Sequence, residues 1–386
     1  MSLITTTKDL KTFCNRLKKA EFITVDTEFI REKTYWARLC LIQVGGPDEA
    51  FAIDPLAGGI DLQPLYDLFQ NKKILKVFHA CRQDLEIFFK ETGGKLPTPI
   101  FDTQIAGMVC GFGEQVSYEV LVNVLQKKQL DKSSRFTDWA QRPLTPKQLK
   151  YALADVTHLR AIYEKLSAKI EKHKRTPWLK DELQNLLDKE NYISRPEDAW
   201  ERIKIPIHKP RTLGVLKEIA MWRDQTAQNA DVPRGRILKD DALVEIAMHA
   251  PTSKEALGKM RNMQHGFAES EKGAQLLEAV KRGLGMPEKD LPKREPRTNF
   301  PPGLAPTIDL LRVLLKLKCE ESQVASKLLA SASDLELIAA YGDEAKVPAM
   351  SGWRFKLFGK EALDLRDGKL ALAIENNRLK LVPTIL

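Results

Sequence analysis

The sequence predicts an α/β domain, a mixed sheet flanked by helices, followed by two all-α helical domains. Three observations lead there. The first 165 residues alternate short apolar runs rich in β-branched residues with stretches of helical periodicity. The segment IKIPIHKP, ending at Pro210, holds too much proline to continue a helix and closes that region. Beyond it, apolar residues recur at helical spacing, interrupted by a stretch with six prolines between residues 285 and 306. The expected division is a first domain over 1–170, a connector over 171–209, a helical domain over 210–290, a proline-rich linker over 291–306 and a second helical domain over 307–386.

Each element follows from its own pattern. Strands are expected over 22–29, 37–44, 50–53 and 74–79, and helices over 8–19, 62–69, 83–92, 118–125 and 145–168. The turn chemistry of GGPDEA, after Val44, joins two strands as an antiparallel hairpin. In the first helical domain, Leu213, Leu216, Ile219, Ala220 and Trp222 mark one helix face, and Asp240 caps a further helix that Pro251 ends. The segment LLASASDLELIA, residues 328–339, echoes ILKDDALVEIA, residues 237–247, with a capping box expected at Ser333 and Glu336. The two helical blocks thus read as one module repeated.

With 386 residues, 43% hydrophobic and 29% charged, the chain has the composition of a soluble protein of two or three domains. No run of apolar residues is long enough to span a membrane, and the start has no secretory pattern, so a cytoplasmic location is expected. The five cysteines are widely spaced with no C-x-x-C pair, which argues against a zinc site or a disulfide framework. A formal net charge of +9 favours an anionic partner, nucleic acid foremost, although the excess is spread along the chain.

The chemistry concentrates in carboxylates. In FITVDTEF, residues 22–29, Asp26 and Glu28 stand two apart on a strand and project from one face. Adjacent carboxylates repel, so such a pair needs either a cation or full exposure, and the apolar neighbours Ile23, Val25 and Phe29 argue against an exposed edge. Asp84 falls in the first turn of a helix that follows a strand, where an acid also serves simply to complement the helix dipole. Tyr151 and Asp155, four apart on a later helix, share a face. His158 reads as a structural helical histidine, and Asp54, Asp102 and Asp138 read as caps or loop residues.

The order DxE on a strand, D at a strand-to-helix turn and YxxxD on a helix resembles the DEDD exonuclease superfamily in its tyrosine branch, where Lys150 occupies the position at which the other branch carries histidine. The text VDTEFIREKTYWARLCLIQVG, FHACRQDLEIF, FDTQIA and DWAQRPLTPKQLKYALADVTHL resembles the ribonuclease D family, and TLGVLKEIAMWRDQTAQNADVPRGRIL resembles an HRDC nucleic-acid-binding domain. The resemblance implies a ribonuclease H-like catalytic domain followed by two HRDC-type domains, the second degenerate. It implies two divalent ions, Mg²⁺ or Mn²⁺, held by Asp26, Glu28, Asp84 and Asp155, with Tyr151 orienting the attacking water. The implied activity is 3′-to-5′ trimming of tRNA precursors and other small structured RNAs, releasing nucleoside 5′-monophosphates, with no membrane and no obligate protein partner.

A threaded strand also needs cations and stacking faces. Candidates are Arg31, Lys33, Tyr35 and Trp36 after the first motif, His79 and Arg82 at the second, Arg135, Phe136 and Trp139 before the third, and Arg234, Arg236 and Lys239 in the helical domain. Trp36, Phe136 and Trp139 serve equally as core residues. A DNA 3′-5′ exonuclease and a non-catalytic RNA-binding protein on a nuclease fold are the competing readings. The absence of a Walker A loop disfavours a helicase-associated DNA enzyme, and the presence of all four carboxylates with Tyr151 disfavours a dead fold.

Overall fold

Six strands pair in the order β1-β4-β3-β2-β5-β6: β1 (Leu3–Ile4), β2 (Phe22–Ile30), β3 (Arg38–Gly45), β4 (Ala50–Ile53), β5 (Leu75–Phe78) and β6 (Ile100–Asp102). The sheet is mixed: β3 and β4 form the expected antiparallel hairpin, with Ile42 opposite Ile53, while β1–β4, β2–β5 and β5–β6 are parallel. The helices that cover it are α1 (Thr7–Leu17), α2 (Gln63–Gln70), α3 (Arg82–Glu91), α4 (Thr103–Val109), α5 (Tyr118–Gln126), α6 (Pro146–Lys172) and α7 (Thr176–Leu186). Along β2, Ile23, Thr24 and Val25 are all buried, so both sheet faces are covered there, as parallel pairing requires. The computed structural model describes residues 2–131, 137–205, 209–293 and 300–384.

Helix α6 carries two of the predicted site residues, Tyr151 and Asp155, and its seating decides where they stand. It opens on a capping box between Thr145 and Gln148, with Pro146 in its first turn. Its buried stripe, Ala152, Val156, Leu159, Ile162, Leu166 and Ile170, has the three-to-four spacing of a core-facing helix. Two contacts bring it close to the sheet. The Thr24 hydroxyl on β2 donates to the Val156 carbonyl at 2.8 Å, and a Cβ at Gly45 on β3 would collide with that hydroxyl and stand 3.3 Å from the same carbonyl. Asp155 is thereby fixed at the margin of this seam.

The described residues fall into two units. One comprises Met1–Glu28, Cys40–Asn191 and Asn299–Leu386; the other comprises Phe29–Leu39 and Tyr192–Thr298. The second unit is built on α8 (Pro210–Asn229), α9 (Arg234–Ile237), α10 (Asp240–His249), α11 (Lys254–Gly258) and α12 (Glu271–Gly285). Its core joins Leu213, Leu216, Ile219, Leu243, Ile246 and Leu276 with Tyr35. Asp240 is the first helical residue of α10 and not its cap, because its carboxylate pairs with Arg223 at 2.6 Å.

The last block belongs to the first unit. It runs through α13 (Ala305–Ser322), α14 (Ser326–Leu329), α15 (Ala332–Tyr341), α16 (Gly352–Arg354), a π turn over Phe355–Gly359 and α17 (Lys360–Arg366). The capping box of α15 lies two residues earlier than expected, at Ser331 and Asp334, since Asp334 reaches back to the Ser331 backbone at 2.7 Å. The expectation of an all-α block is corrected by a hairpin of β7 (Leu370–Glu375) and β8 (Arg378–Pro383). Alternation in LALAIE and RLKLVP favours strands. The connecting Asn376 and Asn377 both take positive φ, 50° and 57°, as a two-residue type I′ turn demands.

All five cysteines are free thiols, four of them buried. Among the described residues no helix is long and apolar enough to cross a membrane.

Candidate active site

Three of the predicted carboxylates meet. One oxygen each from Asp26, Glu28 and Asp155 lies within 4.8 Å of the others. The alternation of β2 places Thr24, Asp26 and Glu28 on one face, the face that the Thr24 hydroxyl ties to α6. Asp84 stands apart from this triad but close enough to interact with it. It sits in the first turn of α3, buried, and accepts a hydrogen bond from the Thr27 hydroxyl.

The electrostatics follow from crowding like charges where water is scarce. Burial pushes Asp26 up to about 6, Asp155 up to about 8 with the Asp26 charge adding to it, and Glu28 up to about 10 with Asp26, Asp155 and Asp84 all contributing. Asp84 is held well above the ordinary carboxylate range by burial and by Asp26, against the Thr27 hydrogen bond. A set of oxygen donors that resists ionising together is what a divalent cation relieves, and carboxylates suit hard cations such as Mg²⁺ and Mn²⁺. The residues therefore fit a metal.

Tyr151 lies one helical turn before Asp155, and its hydroxyl hydrogen-bonds to the Asp155 side chain. A cavity of about 230 Å³ opens beside the triad, lined by Asp26, Tyr151 and Asp155 together with His79, Tyr118 and Leu130. Tyr118 carries no motif that marks it in the sequence. Its hydroxyl donates to the Asp155 carbonyl and its ring meets His79 with centroids 5.4 Å apart. It sits at the start of α5, and nothing in its local spacing shows which way that face turns.

The remaining candidates divide. His79 lines the cavity, with Nδ1 2.9 Å from the Thr103 hydroxyl. Arg82 is exposed at the start of α3. Trp139 is buried, 6.1 Å from Tyr151 between ring centroids, so it supports that ring and offers no open stacking face. Arg135 and Phe136 lie outside the described residues.

In the second unit, Arg31, Lys33, Arg236 and Lys239 are exposed. Tyr35 and Arg234 are not the open strand contacts expected of them. Tyr35 is buried, its hydroxyl 3.0 Å from the Asp224 carboxylate, and the Arg234 guanidinium lies 4.6 Å over its ring while pairing with Asp224. Trp36 packs against the same core. Burying Asp224 needs these partners, and its distance of 189 residues from Tyr35 hid them from the sequence.

The acids read as caps behave as such. Asp102 caps α4 and also accepts from the Cys81 backbone at 2.8 Å, Asp54 accepts from the Leu56 backbone and pairs with Arg142 at 2.6 Å, and Asp138 accepts from the Ala140 backbone. His158 is bound to Gln126 at 2.9 Å.

Comparisons with known proteins agree with this geometry. The 3′-5′ exonuclease family matches residues 1–171 and the HRDC domain matches residues 212–280. Ribonuclease D of Nitrobacter hamburgensis is 49% identical, and that of a Jannaschia species 50% identical, each alignment covering 98% of both chains. The crystal structure of Escherichia coli RNase D, described as an exoribonuclease involved in structured RNA processing, superposes with a TM-score of 0.81 at 30% identity, covering 94% of this chain and 97% of that one.

Proposed function

Since the chain belongs to the ribonuclease D family and is a hydrolytic 3′-5′ exoribonuclease, we propose that Asp26, Glu28, Asp84, Tyr151 and Asp155 form its active site and that it matures tRNA precursors and other small structured RNAs from their 3′ ends. The observation that carries the site assignment is the Asp26–Glu28–Asp155 cluster, three carboxylate oxygens within 4.8 Å of one another, two of whose residues, Asp26 and Asp155, line the cavity.

Asp26, Glu28 and Asp155 would hold divalent ions directly, with Asp84 completing their surroundings. Two ions, Mg²⁺ or Mn²⁺, would supply charge neutralisation at the scissile phosphate and lower the cost of making a hydroxide nucleophile. The protein's own part is positional. Thr24 and Gly45 seat α6 against β2 so that the triad assembles. Tyr151 steadies Asp155 and presents its hydroxyl where it orients the attacking water; with an ordinary pKa near 10, tyrosine suits orientation better than proton abstraction. Hydrolysis breaks the bond between phosphorus and the 3′-oxygen of the preceding nucleotide, leaving a new 3′-hydroxyl and a nucleoside 5′-monophosphate.

The domain division is read as an exonuclease domain over 1–170, a connector over 171–209, an HRDC domain over 210–290, a linker over 291–306 and a second, degenerate HRDC-like domain over 307–386. Helix order supports the repeat: α8, α9 and α10 have 20, 4 and 10 residues, and α13, α14 and α15 have 18, 4 and 10. Exposed Arg31, Arg82, Arg236 and Lys239 would contact the RNA backbone. Free thiols and an RNA substrate fit a cytoplasmic enzyme.

The test is a tRNA carrying extra 3′ residues. Wild type should shorten it with Mg²⁺ or Mn²⁺ and release nucleoside 5′-monophosphates, chelator should stop it, and Asp26→Ala or Asp155→Ala should stop it with metal present. Trimming that survives either substitution would remove these residues from the site, and an extended tRNA left intact by wild type would remove that substrate class.

A further inference from the structure

We propose that His79 selects a ribonucleotide at the RNA 3′ end, its Nε2 accepting a hydrogen bond from the 2′-hydroxyl of the terminal ribose. The inference rests on the active-site reading above. A nucleotide whose 5′-phosphate lies at the carboxylates puts its sugar in the adjoining cavity, and His79 lines that cavity with Asp26, Tyr151 and Asp155.

The hydrogen bonds around His79 decide what its ring offers. The Thr103 hydroxyl donates its one hydrogen to the Phe78 carbonyl at 3.1 Å. Toward His79 Nδ1, at 2.9 Å, that hydroxyl can therefore only accept, so Nδ1 carries the proton. Nε2 is left with a lone pair, and no described residue is bonded to it. Burial outweighs the nearby Asp102 charge and lowers the His79 pKa, which keeps the imidazole neutral. The ring is fixed in place by Thr103 on one side and Tyr118 on the other, and Tyr118 is itself fixed to the Asp155 carbonyl. An acceptor held this way is preorganised for a donor.

Three of the cavity's other polar groups are committed. The Tyr118 and Tyr151 hydroxyls serve the Asp155 carbonyl and carboxylate, and the Ser117 oxygen accepts from the Val120 backbone in capping α5. The 2′-hydroxyl is the donor that distinguishes ribose from deoxyribose. A site that hydrogen-bonds a substrate hydroxyl rejects the analogue lacking it, because its own buried group is then left unpaired.

The experiment compares kcat/KM on two short RNAs that differ only in the last sugar, ribose or 2′-deoxyribose, with Mg²⁺. Wild type should prefer the ribo end by about 10-fold or more. His79→Phe, which keeps a ring against Tyr118 and removes the acceptor, should bring that ratio close to one, and His79→Gln should restore part of it. Thr103→Val frees the proton on Nδ1 to move to Nε2 and should also reduce the ratio, which keeps the test valid should His79→Phe not fold. Glu119→Gln, altering the cavity's remaining carboxylate, should leave the ratio at the wild-type value. A wild-type ratio near one, a ratio unchanged in His79→Phe and Thr103→Val, or a ratio lost in Glu119→Gln would overturn the assignment. Equal slowing of both substrates would show that His79 contacts the 3′-hydroxyl or serves only structure, and would overturn it too. Failure of Asp26→Ala to abolish cleavage of the ribo-ended RNA would instead defeat the active-site reading beneath it.

Discussion

The two helical blocks share a helix order but differ in what they are attached to. The first, α8 to α12, forms a unit with its own core around Leu216, Ile219 and Leu243. The second, from α13 onward, falls in the same unit as the catalytic sheet. Its attachment is specific. The Ala325 backbone donates to the Met108 carbonyl at 3.0 Å, and Arg175 reaches the carbonyls of Val109 at 2.8 Å and Gln323 at 3.1 Å. Trp178 stacks on Trp353 at 4.4 Å and 13°, with Arg175 over the first ring and Arg354 over the second, while Arg354 also pairs with Glu182. At Gly111, φ is 83° and a Cβ would stand 2.7 Å from the Gln323 carbonyl, so the approach excludes a side chain. Similar helices thus serve one block as a module and the other as part of the nuclease's own frame.

Matched core truncations are the harshest way to break this contrast. Phe358 and Leu243 are both fully buried, each in one block. Phe358→Ala should cost about 3 to 5 kcal/mol and lower the melting temperature of the nuclease unit together with its cleavage of a short oligonucleotide. Leu243→Ala, at about 2 to 5 kcal/mol, should destabilise the second unit while short-oligonucleotide cleavage persists. Equal loss of cleavage in both would mean that the first block is also part of the frame.

Trp353→Ala probes the seam itself and should have a smaller effect, since Trp353 is only half-buried; about 1 to 2 kcal/mol is expected for removing the stack and its apolar burial. Trp353→Phe should recover most of it. A melting temperature unchanged in Trp353→Ala would show that the stack does not hold the block.

Metal should act on only one of the two units. Without metal, the folded chain keeps protons on Asp26 and Asp155 up to about 6 and 8, whereas an unfolded chain releases them at the ordinary 3.8. The folded state therefore binds more protons between these limits, and its stability falls as pH rises from about 4 to 8. Mg²⁺ should raise the melting temperature of the nuclease unit more at pH 8 than at pH 5 and leave that of the second unit unmoved. A larger gain at pH 5 would contradict the cause assigned to these shifts.

The smallest effect is expected at the surface of the first block. Arg236→Ala with Lys239→Ala should weaken RNA binding only a few-fold and flatten its salt dependence by about one unit of log–log slope for each phosphate that is no longer neutralised. An unchanged slope would place the strand elsewhere.

Part of the site was legible because it depends on local geometry. Asp26 and Glu28 share a strand face, which periodicity specifies, whereas Asp84 in a first helical turn and Tyr151 one turn from Asp155 were marked as site residues by their order in the family pattern that the sequence resembles. What could not be read depends on distant partners. Tyr35 and Arg234 looked like open strand contacts until Asp224 claimed them, and Tyr118 became a cavity wall only once α5 met α6. Lys76, fully buried, carries its ammonium to the carbonyls of Asn71 at 2.9 Å and Ile74 at 2.7 Å, a solution that no pattern of neighbours announces. The β7–β8 hairpin is a different case. Its alternation and its Asn-Asn turn were present in the sequence, and the helical reading of the block passed over them.

Titration of Mn²⁺ into the full chain at pH 8 tests the central claim most directly, with wild type, Asp26→Ala, Asp155→Asn and Asp84→Asn compared by calorimetry. Wild type should bind saturably. Asp26→Ala should lose binding, Asp155→Asn should weaken it by at least ~10-fold as the loss of a direct ligand, and Asp84→Asn, outside the triad, should weaken it less than Asp155→Asn does. Undiminished binding in Asp26→Ala would contradict the account, whatever the activity of that variant.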